Sequence, residues 1–237
     1  MVADRTGAIE MKTIDLNADL GEGGSEDAEL LRLVTSANIA CGGHAGSDKI
    51  MRRTVELAIA SGVFIGAHPG YEDRQNFGRR EMDLPLDKVT DLVARQVEKL
   101  ASFTDFPLHH VKPHGALYNQ ANRDAVLAAA VVEGVRKVSP GAMIYALPNE
   151  FLASAARAAG MTVLYEGFAD RRYQADGSLV PRGEPGAVIS NIDEAVAQAI
   201  RLANEGMIET LCVHGDGTHA VAMLRAIRAA LYHPPND

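Results

Sequence analysis

One unit repeats along this chain and limits what it can fold into. A short apolar run ends on an ionisable or amide side chain beside Gly or Pro, and a stretch with helical periodicity follows. The runs fall at 12–16, 37–40, 63–67, 109–112, 142–147, 162–165 and 210–213. The helical stretches fall at 25–33, 47–62, 87–100, 124–138, 150–159, 191–204 and from 218 onward. Ser25, Ser47, Asp87 and Asn191 stand where N-caps belong, and Gly62, Gly160 and Gly206 where helices stop. Strict alternation of strand and helix builds a parallel sheet covered by helices. Seven such units with no break in composition predict an α/β single domain, a closed or nearly closed (β/α) barrel of seven-stranded type. An open doubly wound sheet is the alternative. The barrel is expected over 12–232, after a disordered extension at 1–11 and before a short tail at 233–237. A chain of 237 residues is within the range of single-domain barrels.

Composition removes several function classes. A net charge of −8 argues against sequence-blind nucleic-acid binding. No apolar run approaches the roughly 18 residues that a membrane span needs. The polar N-terminus lacks the apolar core of a secretory signal, so a cytoplasmic location is expected, with Cys41 and Cys212 as reduced thiols. Trp is absent and aromatics are 5%, which leaves no evident platform for stacking sugars.

Parallel α/β folds bind ligands at the carboxyl ends of their strands. Those ends carry Asn17, Asp19 and Glu22, then His44, His68, Lys112 with His114, Asn149, Glu166, and His214 with Asp216. Four of the eight histidines therefore sit just past an expected strand. Two chemistries use imidazole with carboxylate. One is a divalent metal held by Asp19, His44 and His68. The other is metal-free proton transfer among His, Lys and Asp. Lys112 is expected to point into the barrel, where it fixes an oxyanion, carboxylate or phosphate, or pairs with Asp19 or Glu166. Arg74, Arg79 and Arg80 in one loop, and Arg171, Arg172 and Arg182 in another, either clamp anions or form surface ion pairs. Cys41 is a nucleophile beside His44 or, as its apolar strand suggests, a buried structural thiol. There is no phosphate-binding P-loop, no dinucleotide fingerprint and no Gly-x-Ser-x-Gly.

Six motifs taken together identify a resemblance. They are Asp15-Leu-Asn-Ala-Asp-Leu-Gly-Glu22, Ser36-Ala-Asn-Ile-Ala-Cys-Gly-Gly-His44, Gly66-Ala-His-Pro-Gly-Tyr71, Val111-Lys-Pro-His-Gly-Ala-Leu-Tyr-Asn119, Glu166-Gly-Phe-Ala-Asp-Arg171 and Val213-His-Gly-Asp216. In this order, from about residue 11 to 232, they resemble the LamB/YcsF family, read as the A component of the bacterial 5-oxoprolinase. The resemblance implies a seven-stranded barrel similar to that of the glycoside hydrolase/deacetylase superfamily. It implies ATP-dependent opening of 5-oxo-L-proline to L-glutamate, with ATP as co-substrate and separate 5-oxoprolinase subunits B and C as partners. A divalent metal, either Mg accompanying ATP or a site metal, is compatible with it, as is a homo-oligomer. Asp19, His44 and His68 stand in places comparable to the metal ligands of polysaccharide deacetylases, although the motifs differ from those of the deacetylases. For that reaction the expected catalytic set is Asp19, Lys112, His114, Glu166, His214 and Asp216. The base would be His114, His214 or Asp19, and the acid for the departing nitrogen Glu166 or Asp216. Asn17, Glu22, Asn119, Arg74 and Arg171 are the expected substrate-binding residues. The alternatives are a metal-dependent amidohydrolase or deacetylase acting on another small substrate, and a substrate-binding subunit without chemistry of its own.

Overall fold

A computed structural model describes residues 14–215, 217 and 219–232. The expected extension, the expected tail and Asp216 lie outside the described residues. Seven strands pair in parallel in chain order: β1 (Asp15–Leu20), β2 (Ser36–Ala40), β3 (Phe64–His68), β4 (His110–Val111), β5 (Met143–Ala146), β6 (Val163–Phe168) and β7 (Thr210–Cys212). β7 pairs back onto β1, with Thr210 opposite Asp15 and Cys212 opposite Asn17. The sheet is therefore a closed barrel with no open edge, which excludes the doubly wound alternative.

Eight helices surround it among the described residues: α1 (Asp27–Leu30), α2 (Asp48–Ser61), α3 (Leu86–Ala101), α4 (Gly115–Arg123), α5 (Ala125–Val138), α6 (Phe151–Ala158), α7 (Ile192–Glu205) and α8 (Ala220–Tyr232). The Ser47 hydroxyl caps α2 by accepting from Ile50 N, and Asn191 Oδ1 caps α7 by accepting from Glu194 N. Two other cap expectations need correction. Pro85 takes the N-cap position of α3, so Asp87 lies in its first turn, and α1 is a single turn without a side-chain cap.

α4 is the helix that the repeat did not anticipate. It is short and runs into α5 with only Asp124 between them. That aspartate leaves helical geometry and accepts from Val126 N and Leu127 N, ending one helix and starting the next. The apolar core fills the layer between sheet and helices, with Leu16, Ile39, Ile65, Val111 and Ile144 fully buried. Gly134 lets α5 press on α3, because a Cβ there would come within 2.7 Å of the Thr90 carbonyl oxygen.

β1 departs most from expectation. The apolar run at 12–16 predicts a strand that yields to a polar loop, yet the strand continues through Asp19 to Leu20. Strand side chains alternate between faces. Leu16, Ala18 and Leu20 join the apolar core, while Asp15, Asn17 and Asp19 hydrogen-bond across the lumen. β6 likewise runs past Glu166 to Phe168. Gly167 is compatible with a strand there because a Cβ would stand 2.7 Å from Ile208 Cδ1. The barrel interior is thus a column of polar side chains, and the apolar-run pattern ends strands too early where their inner face is hydrophilic.

Candidate active site

Lys112 stands at the centre of the barrel mouth. Its backbone N–H extends the sheet by donating to Ala67 O, and Pro113 then ends pairing. The residue is 2% exposed. Its Nζ lies 2.8 Å from Glu166 Oε1, 3.1 Å from Asp19 Oδ1, 3.1 Å from Cys212 Sγ and 3.4 Å from Asn17 Oδ1. Burial opposes the ammonium, but Asp19, Cys212 and Glu166 outweigh it and raise the Lys112 pKa well above the ordinary lysine range. Burial likewise opposes the Asp19 carboxylate, and His68 and Lys112 reverse that, holding Asp19 well below the usual carboxylate range. The expectation that Lys112 pairs with Asp19 or Glu166 resolves as a pairing with both. The grouping of Asp19, Cys212 and His214, close enough to suggest a cation site, already has the Lys112 ammonium beside it.

Three imidazoles and a carboxylate form the neighbouring wall. His68 Nδ1 donates to Lys112 O at 2.7 Å, and His114 Nε2 donates to Phe77 O at 2.9 Å. A carbonyl oxygen only accepts, so each ring carries its proton on the side facing that oxygen. The remaining nitrogens, His68 Nε2 and His114 Nδ1, face each other at 2.9 Å. Two bare lone pairs at that separation require a positive centre, either a proton added to one ring or a metal cation. Burial alone would lower the His68 pKa; the Asp19 carboxylate, 3.3 Å from Nε2, raises it above the ordinary value. Burial, and then the charge of His68, pushes His114 well below the ordinary value. Where a proton supplies that positive centre, these shifts place it on His68.

His44 stacks on His114 with ring centroids 3.6 Å apart, and its Nε2 lies 3.0 Å from Glu22 Oε1. Burial, with the His68 charge adding to it, pushes His44 down to about 2. The loop after β3 closes over these rings. Gly78, at φ +64, leaves no room for a Cβ, which would meet His44 Cβ at 2.7 Å.

This wall also fits a divalent cation. Glu22, His44, His68 and His114 offer one donor atom each, all within 4.8 Å of one another. Two rings already donate their far N–H to a carbonyl, as metal-ligating histidines do. His44 Nδ1 is buried with no hydrogen-bond partner among the described residues. Of the expected trio Asp19, His44 and His68, the two imidazoles fall in this group. Its carboxylate is that of Glu22, while Asp19 lies alongside, bound to Lys112.

On the opposite side, His214 Nδ1 donates to Asp170 Oδ2 at 2.9 Å, and its Nε2 points toward Asp19 Oδ2 at 3.9 Å. Burial opposes the Asp170 carboxylate, but His214 reverses that and lowers its pKa. The result is an aspartate-oriented imidazole with its second nitrogen directed at the cavity.

The cavity has a volume of about 990 Å³ and is lined by Asp19, His68, Lys112, His114 and His214 at its base. Asn119 and Arg171 stand on its wall, as do Arg79 and Arg182. Arg171 also braces the loop before α7, donating to Val180 O at 2.7 Å and Ala187 O at 3.4 Å. Two expectations are corrected, those for Arg74 and Glu166, and for Arg172 the ion-pair alternative holds. Arg74 is not on the cavity lining; it donates to Gly42 O at 2.9 Å and to Gly46 O, bracing the turn after β2. Glu166 lies against Lys112 and off the cavity lining, which removes it as the acid for a leaving nitrogen. Arg172 pairs with Glu194 on the surface. Asn17 sits with Glu166, donating to it at 3.2 Å. Cys41 is a buried structural thiol, pushed up to about 12 by burial.

Asp170, Asn38 and His110 went unassigned in the sequence. A period-two signal was available for two of them: Asp170 follows Glu166 and Phe168, and His110 precedes Lys112, at spacings that put strand residues on one face. Tyr118 and Asn122 reach the cavity wall on α4, the unanticipated helix.

A polar-lumen (β/α)₇ barrel with an ionic and imidazole centre at the carboxyl ends of its strands defines the class. The chain belongs to the LamB/YcsF family, whose profile matches residues 14–234. It is similar to the lactam utilization protein from Thermus thermophilus, at 41% identity and a TM-score of 0.87, over 93% of this chain and 96% of that one. A family 4 carbohydrate esterase from Streptomyces lividans aligns at 14% identity and a TM-score of 0.51, over 93% and 88% of the two chains. A GH113 β-1,4-mannanase aligns at 13% and 0.55, over 94% and 99%. Those two likenesses concern the barrel fold alone. Among the described residues no helix is long and apolar enough to cross a membrane.

Proposed function

We propose that this chain is the A component of a cytoplasmic, ATP-dependent 5-oxoprolinase that opens 5-oxo-L-proline to L-glutamate together with separate B and C subunits. The observation that carries the reading is the buried Asp19–Lys112–Glu166 ion cluster beside an imidazole wall, at the base of a cavity of about 990 Å³. The 41% identity to a lactam utilization protein supports a cyclic amide as the substrate class.

A five-membered lactam is a weak electrophile. Phosphorylation of its amide oxygen by ATP makes the ring carbon attackable. Water then adds to that carbon, the ring C–N bond breaks as the nitrogen takes a proton, and a second water releases phosphate from the resulting acyl phosphate, leaving the carboxylate. Here His214 Nε2 takes the proton from water and returns it to the nitrogen, while Asp170 holds the ring in the tautomer that leaves Nε2 basic. Lys112 keeps Asp19 ionised and in place at the cavity base. Arg171 and Arg182 on the wall supply positive charge to the substrate carboxylate and the phosphoryl group. Glu22, His44, His68 and His114 would hold a divalent metal, which when bound supplies Lewis-acid polarisation of an oxygen.

The test is reconstitution with candidate B and C subunits, measuring glutamate formed per ATP consumed, for wild type and for Asp19→Ala and His214→Ala. Coupled turnover that both substitutions abolish is the expected result. Full activity of both variants overturns a catalytic role for this chain and leaves it a substrate-binding role. The imidazole wall also favours a second reading, a metal-dependent amidohydrolase acting on another small substrate. Elemental analysis without stoichiometric metal removes that second reading.

A further inference from the structure

Beneath the site, a buried histidine that the reaction does not touch is wired to Asp19. His110 fills the lumen one layer below Lys112, fully buried and stacked on Tyr145 at 3.9 Å between ring centroids. The barrel is built around it. A Cβ at Gly66, the neighbouring position on β3, would lie 2.1 Å from His110 Nε2. His110 Nε2 is 2.7 Å from Asn38 Oδ1, and Asn38 Nδ2 is 2.8 Å from Asp19 Oδ1 and 2.7 Å from Asn17 Oδ1.

The polarity of this chain has one solution. An amide NH₂ has two hydrogens, and Asn38 gives them to Asp19 and Asn17. Its oxygen must then accept, so His110 Nε2 carries the proton. Flipping Asn38 would set its oxygen against the Asp19 carboxylate. The Asn17 amide is fixed in the same way, since Nδ2 donates to Thr210 Oγ1 at 2.7 Å and to Glu166 Oε1. Burial, reinforced by the charges of His109, Lys112 and His68, keeps His110 neutral, so it has a single N–H to give.

We propose that His110 is a positioning residue that acts through Asn38. By donating Nε2–H it locks the Asn38 amide so that both amide hydrogens face Asp19 and Asn17, which fixes Asp19 Oδ1 and turns Oδ2 toward His68 and His214. The proposal rests on the reading that Asp19 belongs to the reactive centre.

Two measurements test it. On the isolated chain with ¹⁵N-labelled histidine, long-range nitrogen–proton correlations read the ring tautomers. The Nε2–H tautomer of His110 is expected near neutral pH; an Nδ1–H tautomer or an imidazolium overturns the proposal, whatever the complex does. In the reconstituted complex, His110→Leu is expected to lower kcat on the order of 10²-fold with KM within about twofold, the scale of an ångström-level misplacement. His110→Gln, which keeps a donor, is expected to recover at least about tenfold of that loss. The His110→Leu/Asn38→Leu double variant is expected to be no slower than Asn38→Leu. Unchanged kcat in His110→Leu, equal loss in His110→Gln, or additive losses in the double variant each overturn the positioning role. If the wild-type complex makes no glutamate, it is the reaction assignment that falls. In that case the tautomer, together with His68 ring shifts that differ between His110→Leu and His110→Gln, still decides the wiring.

Discussion

Asp15 and Asp19 lie on the same face of the same strand, at opposite ends of the lumen, and their surroundings have little in common. At the floor, Asp15 accepts from four hydroxyls: Thr35, Ser36 at 2.7 Å, Thr210 at 2.6 Å and Tyr145 at 3.1 Å. At the mouth, Asp19 is held by an ammonium, an amide and an imidazole, and it borders a cavity. Each floor donor ends on the carboxylate, so its oxygens are saturated by neutral groups and the assembly closes the barrel. The mouth instead stores opposite charges in a buried place and sets His214 Nε2 beside Asp19 on the cavity lining. Polar side chains inside a barrel therefore do not by themselves mark chemistry. Charged partners that can exchange protons, next to a space a substrate can enter, do.

That contrast is broken most severely at Lys112. Lys112→Met leaves two buried carboxylates without their counter-ion, and removing one partner of a buried ion cluster costs about 3–5 kcal/mol. An unfolding free energy in urea lowered by that amount, with turnover lost, is the expected outcome; a value equal to wild type would show that the cluster is not buried in solution. His214→Ala weights chemistry over stability at the same end. It is expected to lower kcat by about 10²–10⁴-fold, with a smaller loss of stability than Lys112→Met, because it takes the imidazole from one buried carboxylate, Asp170. If kcat persists, the proton transfer belongs to another group.

The barrel and its single-domain character were legible because seven apolar runs alternate with helical stretches and the motifs keep one order. The rim positions of His44, His68, Lys112, His114 and His214 followed from the same alternation. What escaped has physical reasons. Asn17 and Asp19 looked like loop because a polar inner face hides a strand from any test based on hydrophobicity. α4 escaped because one residue, Asp124, serves two helices and leaves no gap. Arg74 looked like an anion clamp because sequence does not say whether a loop arginine meets a ligand or a backbone carbonyl. Which carboxylate joins the imidazoles depends on the turn after β1, where Gly21 at φ +73 lets Glu22 swing beside His44.

Acid titration tests the mouth more finely. Asp19 and Asp170 have folded pKa values below the ordinary 3.8, so their contribution to stability is complete above that value and is lost as pH falls through the folded values. His68 has the opposite sign: its contribution is complete below 6.5 and is lost as pH rises through its higher folded value. Asp170→Asn is therefore expected to flatten the fall in stability between about pH 5 and stronger acid, measured by urea unfolding at stepped pH. An unchanged slope would mean that the contact with His214 does not lower the Asp170 pKa.

The smallest expected effect belongs to the floor, and it is the control that gives the comparison its meaning. Tyr145→Phe removes one of four hydroxyl donors from Asp15 and keeps the ring that stacks on His110. Asp15 retains three donors, so the loss is that of one ordinary hydrogen bond, about 1 kcal/mol. Because the Tyr145 hydroxyl is pushed far above its usual range by burial and by Asp15, it does not titrate between about pH 4 and 9. Its removal is expected to lower the stability curve by a constant amount across that range, with turnover unchanged. A pH-dependent difference, or a kcat that falls along with stability, would mean that the floor is coupled to the mouth through the ring stack as well as through Asn38. The separation between a structural end and a reactive end would then have to be given up.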